Sequence, residues 1–188
     1  MLLLIIFTET GVFFGFFLPG DSLVFVAGIL TQSEFLEINI LILWPLLVAA
    51  AASGSMVGYW FGSRAESYLA HRKENFFYKR KYLDMTRSFY DRYGVWAFIL
   101  GRFLPIIRTF VPIFAGLAKI NYNKFILFNI IGATIWISTM LFAGYGLGNM
   151  FPTLTEHLES IVFGMIVLSA IPVMVAWYRQ RKLFREKG

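Results

Sequence analysis

"GRFLPIIRTFVPIFAG", residues 101–116, places two arginines (Arg102 and Arg108) and two prolines (Pro105 and Pro112) inside an apolar run of the kind a lipid bilayer accepts. Charge is costly in such surroundings, and proline removes a backbone donor and breaks helices. A run that is both oily and broken reads as a segment that enters a membrane, bends, and keeps its charges inside protein. Residues 17–28, "FLPGDSLVFVAG", carry the same pattern, with Pro19 and Gly20 as the breakers and Asp21 in place of an arginine.

Composition supports the membrane reading. Of 188 residues, 58% are hydrophobic and only 15% charged, with a mean hydropathy of +0.66. That leaves too little polar surface to wrap a globule, so the apolar excess must face lipid. The absence of cysteine excludes disulfides, thiolate metal sites and thiol catalysis. The start, "MLLLIIFTETG", has no basic leader and meets Glu9 before any small-residue cleavage site, so it reads as part of the structure and not as a signal peptide.

The basic residues set the topology. Arg64, Arg72, Lys73, Lys79, Arg80, Lys81, Arg87 and Arg92 lie in one loop, and Arg179, Arg181, Lys182, Arg185 and Lys187 in the tail. By the positive-inside rule both segments face the cytoplasm. Flanking apolar spans favour this reading, together with attraction to anionic lipid, over nucleic-acid binding. Three stretches are long enough to cross: 40–62, with Pro45 as a kink site, then 123–148 and 159–178. They give one orientation, with the basic loop, Lys119, Lys124 and the C-terminal tail inside, and Glu34, Glu37, Glu156 and Glu159 outside.

Residues 93–118 leave the basic loop and must be inside again at Lys119, so they are expected to enter and turn back near Pro105 to Arg108. Residues 9–30 are expected to do the same from the other face. Bent backbone at membrane depth survives only when buried in protein or lining a wet cavity. The plainer alternative is a kinked transmembrane hairpin. "FLP" at 17–19 recurs at 103–105 and "GYWFG" at 58–62 recurs as "GYGLG" at 144–148, both displaced by 86 residues, while the "AG" pairs at 27–28 and 115–116 are displaced by 88.

The expected fold is therefore an all-α polytopic membrane protein in one domain, 1–188. It has two inverted repeats (9–62 and 93–148), each a re-entrant helical hairpin plus a transmembrane helix, separated by a basic cytoplasmic loop (63–92). A last transmembrane helix (159–178) and a basic tail (179–188) follow. Inverted repeats with broken helices are a transporter architecture, with the site at the repeat interface.

Four ionisable groups fall in the hairpins: Glu9, Asp21, Arg102 and Arg108. At ~2.5–3.5 kcal/mol each, four unpaired charges would cost roughly 10–14 kcal/mol, as much as a domain's whole stability of ~5–15. They must be paired, hydrated or both. Two acids from one repeat and two arginines from the other suggest facing pairs across the interface, serving either as structural locks or as a site.

Arginine's planar fork suits phosphate as well as carboxylate, which favours the site. Asp21 and Ser22 read as an N-cap for the returning helix of the first hairpin, and Thr109 as its counterpart in the second; a helix N-terminus also receives anions. The glycine pairs Gly11/Gly15, Gly54/Gly58, Gly58/Gly62 and Gly144/Gly148 read as close-packing positions. "GYGLG" follows no strand and is no nucleotide loop. His71 and His157 lie in loops on opposite sides, so neither a histidine-based catalytic site nor a zinc site is expected.

"ETGVFFGFFLPGDSLVFVAG" together with "GRFLPIIRTFVPIFAGLAKINYNKFILFNIIGATIW" resembles the bacterial DedA family, of the SNARE-associated or VTT domain group, over roughly residues 5–148. The resemblance implies a polytopic inner-membrane protein with two re-entrant hairpins, active in lipid homeostasis and dependent on the proton gradient. Some members are implicated in returning undecaprenyl phosphate across the membrane, and eukaryotic relatives look like phospholipid scramblases. The family's essential acids and arginines fall on Glu9, Asp21, Arg102 and Arg108. Family members usually carry a further helix ahead of the ETG motif, where this chain has eight residues before Glu9, which leaves the first hairpin less shielded or the start truncated.

The expected function is proton-gradient-dependent transport of an anionic lipid, either undecaprenyl phosphate or a phospholipid. Arg102, Arg108, Thr109 and Ser22 would hold the phosphate while Glu9 and Asp21 exchange protons. Expected partners are a phosphate-bearing lipid headgroup and protons, with self-association left open, and no cofactor, nucleic acid or enzymatic activity. The alternatives are a small-ion or drug/proton antiporter and a non-transporting scaffold supporting envelope homeostasis and division.

Overall fold

The computed structural model describes residues 1–11, 19–31, 38–69, 88 and 92–151. The expected third crossing at 159–178, the basic tail, residues 70–87 of the basic loop, and Glu34, Glu37, Glu156 and Glu159 lie outside the described residues.

Among the described residues there are six helices, α1 (Leu2–Gly11), α2 (Gly20–Leu30), α3 (Ile40–Leu69), α4 (Val95–Arg102), α5 (Pro105–Leu117) and α6 (Tyr122–Met150), and no strand. At ~1.5 Å per residue, α3 and α6, of 30 and 29 residues, exceed the ~30 Å hydrocarbon core. The other four have 8 to 13 residues and each falls short of it. Only 33% and 39% of the apolar windows of α3 and α6 are buried inside the fold. Their outward residues, among them Leu41, Leu46, Trp60, Phe61, Leu127 and Phe142, are large and apolar. This is the surface of a helical membrane protein. The helix α3 runs on through Pro45 and continues from Ser63 to Leu69, into the segment read as loop.

The break between α4 and α5 lies at Phe103 and Leu104, just ahead of the Pro105–Arg108 turn expected from sequence. Phe103 and Leu104 donate to Leu100 and Gly101 three residues back, at 3.3 and 3.2 Å, which tightens the last turn of α4. Leu104 is extended at φ −106°, ψ 110° because the proline ring after it disfavours helical backbone. Pro105 then starts α5, where its missing N–H costs nothing. Pro112 does not break the hairpin as expected: it sits inside α5, which continues to Leu117.

Two other expectations are corrected at the helix starts. The N-caps of α2 and α5 are Pro19 and Leu104, neither with a side-chain cap bond. Asp21 and Ser22 therefore lie in the first turn of α2, and Thr109 in the second turn of α5, too far along to cap. The end of α5 is a Schellman motif, with Ile120 N–H donating to Ala115 at 3.0 Å and Lys119 N–H to Gly116 at 3.1 Å. Lys119 takes the positive φ of 51° that this motif usually gives to glycine. Tyr59 of α3 donates its hydroxyl to the Ile120 carbonyl at 2.6 Å, and Asn121 caps α6.

The short helices pack in a crossed pattern. Helix α1 lies on α3 and α4 on α6, within each half of the chain, whereas α2 lies on α6 and α5 on α3, between halves. The two crossings between halves match residue for residue. Gly28 of α2 meets the backbone of Leu141 and Tyr145, and Gly116 of α5 meets that of Tyr59 and Ser63; in reverse, Gly144 meets Phe25 and Gly62 meets Ile113. In these contacts α2 and α5 are related by 88 residues, as the AG pairs are, and α3 and α6 by 82, not by the 86 that separates GYWFG from GYGLG. The main core, including Ile6, Val24, Leu47, Trp136 and Leu141, fills the space between α1, α2, α3 and α6.

Candidate functional site

All four hairpin charges converge on the interior between the long helices, but not in the two facing pairs expected. Arg108, in the second half of the chain, takes both acids of the first. Its Nη1 donates to Asp21 Oδ1 at 2.6 Å and its Nη2 to Glu9 Oε1. The guanidinium lies over the Trp136 ring, 4.8 Å from the centroid, and Trp136 Nε1 donates to the same Asp21 oxygen at 2.9 Å. One indole thus supports the cation with its face and orients the anion with its edge. Glu9 is fully buried, while the Asp21 side chain keeps 28% of its surface accessible.

Local backbone explains these positions. Asp21 stands in the first turn of α2, where the helix dipole favours an anion, and Arg102 is the last residue of α4, where it favours a cation. Gly20 opens the place for Glu9, since a Cβ there would fall 1.4 Å from Glu9 Oε2. Gly11 and Gly54 let α1 and α3 touch backbone to backbone, bringing Glu9 inside.

Among the described residues Arg102 has no carboxylate partner. Its Nη2 donates to Ser55 Oγ at 3.0 Å and to Asn129 Oδ1. Asn129 Nδ2 donates to the Ala52 carbonyl at 2.9 Å, which fixes the amide's orientation, and Ser55 Oγ donates to Ala51 at 3.1 Å. Arg102 is buried; among the described residues its Nη1 and Arg108 Nε find no acceptor, and Glu9 Oε2 finds no donor. A buried donor left unmade costs ~1–3 kcal/mol, more when charged. Asn129 and Trp136 lie seven residues apart on one face of α6, so the two arginine sites are stacked about 10 Å apart along it.

Of the residues singled out from sequence, Glu9, Asp21 and Arg108 form one cluster and Arg102 a second. Ser22 and Thr109 are buried in the first turn of α2 and the second turn of α5. Sequence reading missed Ser55, Asn129 and Trp136. Asn129 was detectable as an amide within the apolar run "FILFNIIGATIW", because a polar group at membrane depth must have a partner. Ser55 and Trp136 carry no comparable signal.

The VTT domain model matches residues 18–146. Protein DedA of Escherichia coli K12 is 37% identical over 97% of this chain and 83% of its own length. The uncharacterized membrane protein ML0287 of Mycobacterium leprae is 37% identical over 97% of this chain and 81% of its own length. The inner membrane protein YghB of Escherichia coli K12 is 30% identical over 87% of this chain and 73% of its own length. No solved structure matches the chain.

Proposed function

The chain belongs to the VTT-domain, or DedA, family of membrane proteins, and from that premise we propose that it is a proton-coupled transporter of an anionic lipid in the inner membrane. The cargo is a phosphate-bearing lipid, either undecaprenyl phosphate or a phospholipid. The observation that carries the reading is the pair of buried arginines in unlike states: Arg108 held by two acids, Arg102 without a counter-ion among the described residues. A buried cation lacking an anion fits a phosphate better than it fits a structural lock.

The chemistry of coupling follows from competition for a guanidinium. Protonation of Asp21 or Glu9 weakens its bond to Arg108 and frees a donor edge for a phosphate oxygen. Departure of the phosphate returns Arg108 to the carboxylates, which release their protons. Asp21, the more accessible acid, is the entry for protons.

The crossed packing of α2 on α6 and α5 on α3 supports two repeats, each with a short broken helix pair that turns back inside the membrane. The positive-inside rule supports an inverted arrangement with the C-terminal tail in the cytoplasm. A lipid's tails remain in the bilayer while its headgroup is bound, so a site between helices that face lipid suits this cargo.

A second reading, a non-transporting scaffold in which the charges are locks, is favoured by the paired state of Arg108. Mass spectrometry of lipid retained by the detergent-purified protein separates the two. Enrichment of a phosphate lipid in the wild type, lost in Arg102→Gln, supports transport; the bulk lipid mixture in both would leave the scaffold as the reading that stands.

A further inference from the structure

The two arginines are held by different chemistry, and the difference assigns roles within the proposed site. At Arg108 two carboxylates consume the positive charge. At Arg102 the partners are neutral, and both are polarised: Ser55 and Asn129 spend their donors on the carbonyls of Ala51 and Ala52, so each turns an acceptor toward Nη2. This cradle fixes the plane of the guanidinium by one edge, leaves its charge unneutralised, and leaves Nη1 without an acceptor among the described residues. The geometry points to Ser55 and Asn129 as positioning residues that make Arg102 the receptor for a phosphate oxyanion, the ligand accepting from Nη1.

The inference rests on the transport reading and extends it to residues outside the hairpins, one on each long helix. It also explains neutrality. A carboxylate in place of either partner would be an internal competitor for the ligand, so an amide and a hydroxyl hold the arginine without quenching it. The ligand chemistry is a phosphate oxyanion, whether of a lipid headgroup or of free phosphate.

The decisive substitution is Asn129→Asp, which keeps size and the acceptor oxygen but neutralises Arg102. Full-length protein is placed in phosphatidylcholine nanodiscs, with phosphatidic acid in one arm and inorganic phosphate in the other, and binding and thermal midpoint are read together. Wild type is expected to bind phosphatidic acid saturably, Arg102→Gln to lose it, and Asn129→Asp to weaken it at least tenfold while remaining folded, with a midpoint lowered by loss of the bond from Nδ2 to Ala52. In the Arg102→Gln background Asn129→Asp should add nothing.

Ser55→Ala, which deletes one oxygen beside Ala51 and Ala52, is expected to weaken binding about three- to tenfold by freeing the guanidinium to rotate, and it decides the matter if Asn129→Asp does not fold. A merely structural Asn129 predicts normal binding in Asn129→Asp, because the bond to Arg102 survives. If both variants bind like wild type while Arg102→Gln does not, the positioning role is wrong and the transport reading stands. Binding of inorganic phosphate without phosphatidic acid supports the subsite and removes the lipid; binding of neither overturns both.

Discussion

Alanine at Gly28 or Gly116 places a methyl group against backbone that cannot rotate away. At Gly28 the new Cβ would lie 2.2 Å from the Leu141 carbonyl oxygen and 2.9 Å from the Tyr145 nitrogen; at Gly116 the distances to Tyr59 oxygen and Ser63 nitrogen are 2.1 and 2.7 Å. Close C···O contacts run at ~3.3–3.6 Å, so each crossing must open by about 1 Å. Overpacking costs ~1–3 kcal/mol, and backbone on both sides puts these at the upper end. Alanine returns ~1 kcal/mol of helix propensity, leaving a net loss of about 2 kcal/mol. For a chain of this size that lowers the thermal midpoint by about 4–8 °C.

Gly146, on the same helix as Leu141 and Tyr145, has nothing within 4 Å of a built Cβ. Gly146→Ala should therefore raise the midpoint by about 2–4 °C. The two crossings share no partners, so the Gly28→Ala and Gly116→Ala losses should be equal and should add in the double variant. Thermal unfolding of the detergent-solubilised chain, followed by far-UV circular dichroism, checks all four proteins. A Gly116→Ala midpoint equal to wild type beside a large Gly28→Ala loss would refute the matched crossings, and Gly28→Ala shifting with Gly146→Ala would refute the clash.

Gly20→Ala should inactivate transport and lower the midpoint by several degrees, because the methyl displaces the buried Glu9 carboxylate from Arg108 and breaking a buried ion pair costs ~3–5 kcal/mol; paired transport and unfolding measurements test this. Trp136→Phe keeps a ring under Arg108 but removes the donor to Asp21, and should cost about 1 kcal/mol of stability, where Trp136→Leu should cost more. Single cysteines at the exposed positions Asn39 and Lys119 should be labelled by an impermeant reagent from outside only at Asn39. Outside labelling at 119 means that residues 93–118 cross the membrane.

Hydropathy and length located α3 and α6 because a spanning helix must be long and apolar whatever surrounds it. The prolines marked the α4–α5 break because Pro105 constrains Leu104 locally. Pro112 misled for the same local reason: a helix held on both sides by neighbours tolerates an internal proline, and that support is invisible in one segment. The four charges were legible from cost alone. Their partnerships were not, because they depend on how α1 and α5 are registered against α3, and α2 and α4 against α6. That register is set by backbone contact at Gly11, Gly28, Gly54 and Gly116, where the sequence shows only an absent side chain. Ser55 and Asn129 became meaningful only once α3 and α6 were seen to face Arg102 together.

The coupling of a buried arginine site to protons is tested most directly by moving a phosphate lipid across a membrane under an imposed pH gradient. Full-length protein in sealed liposomes carries a fluorescent phosphatidic acid, and accessibility of the fluorophore to an impermeant quencher reports its leaflet. The expected result is redistribution that needs the gradient, stops with a protonophore, and is lost in both Arg102→Gln and Asp21→Asn. Redistribution at the same rate without a gradient, or undiminished in Arg102→Gln, would contradict it.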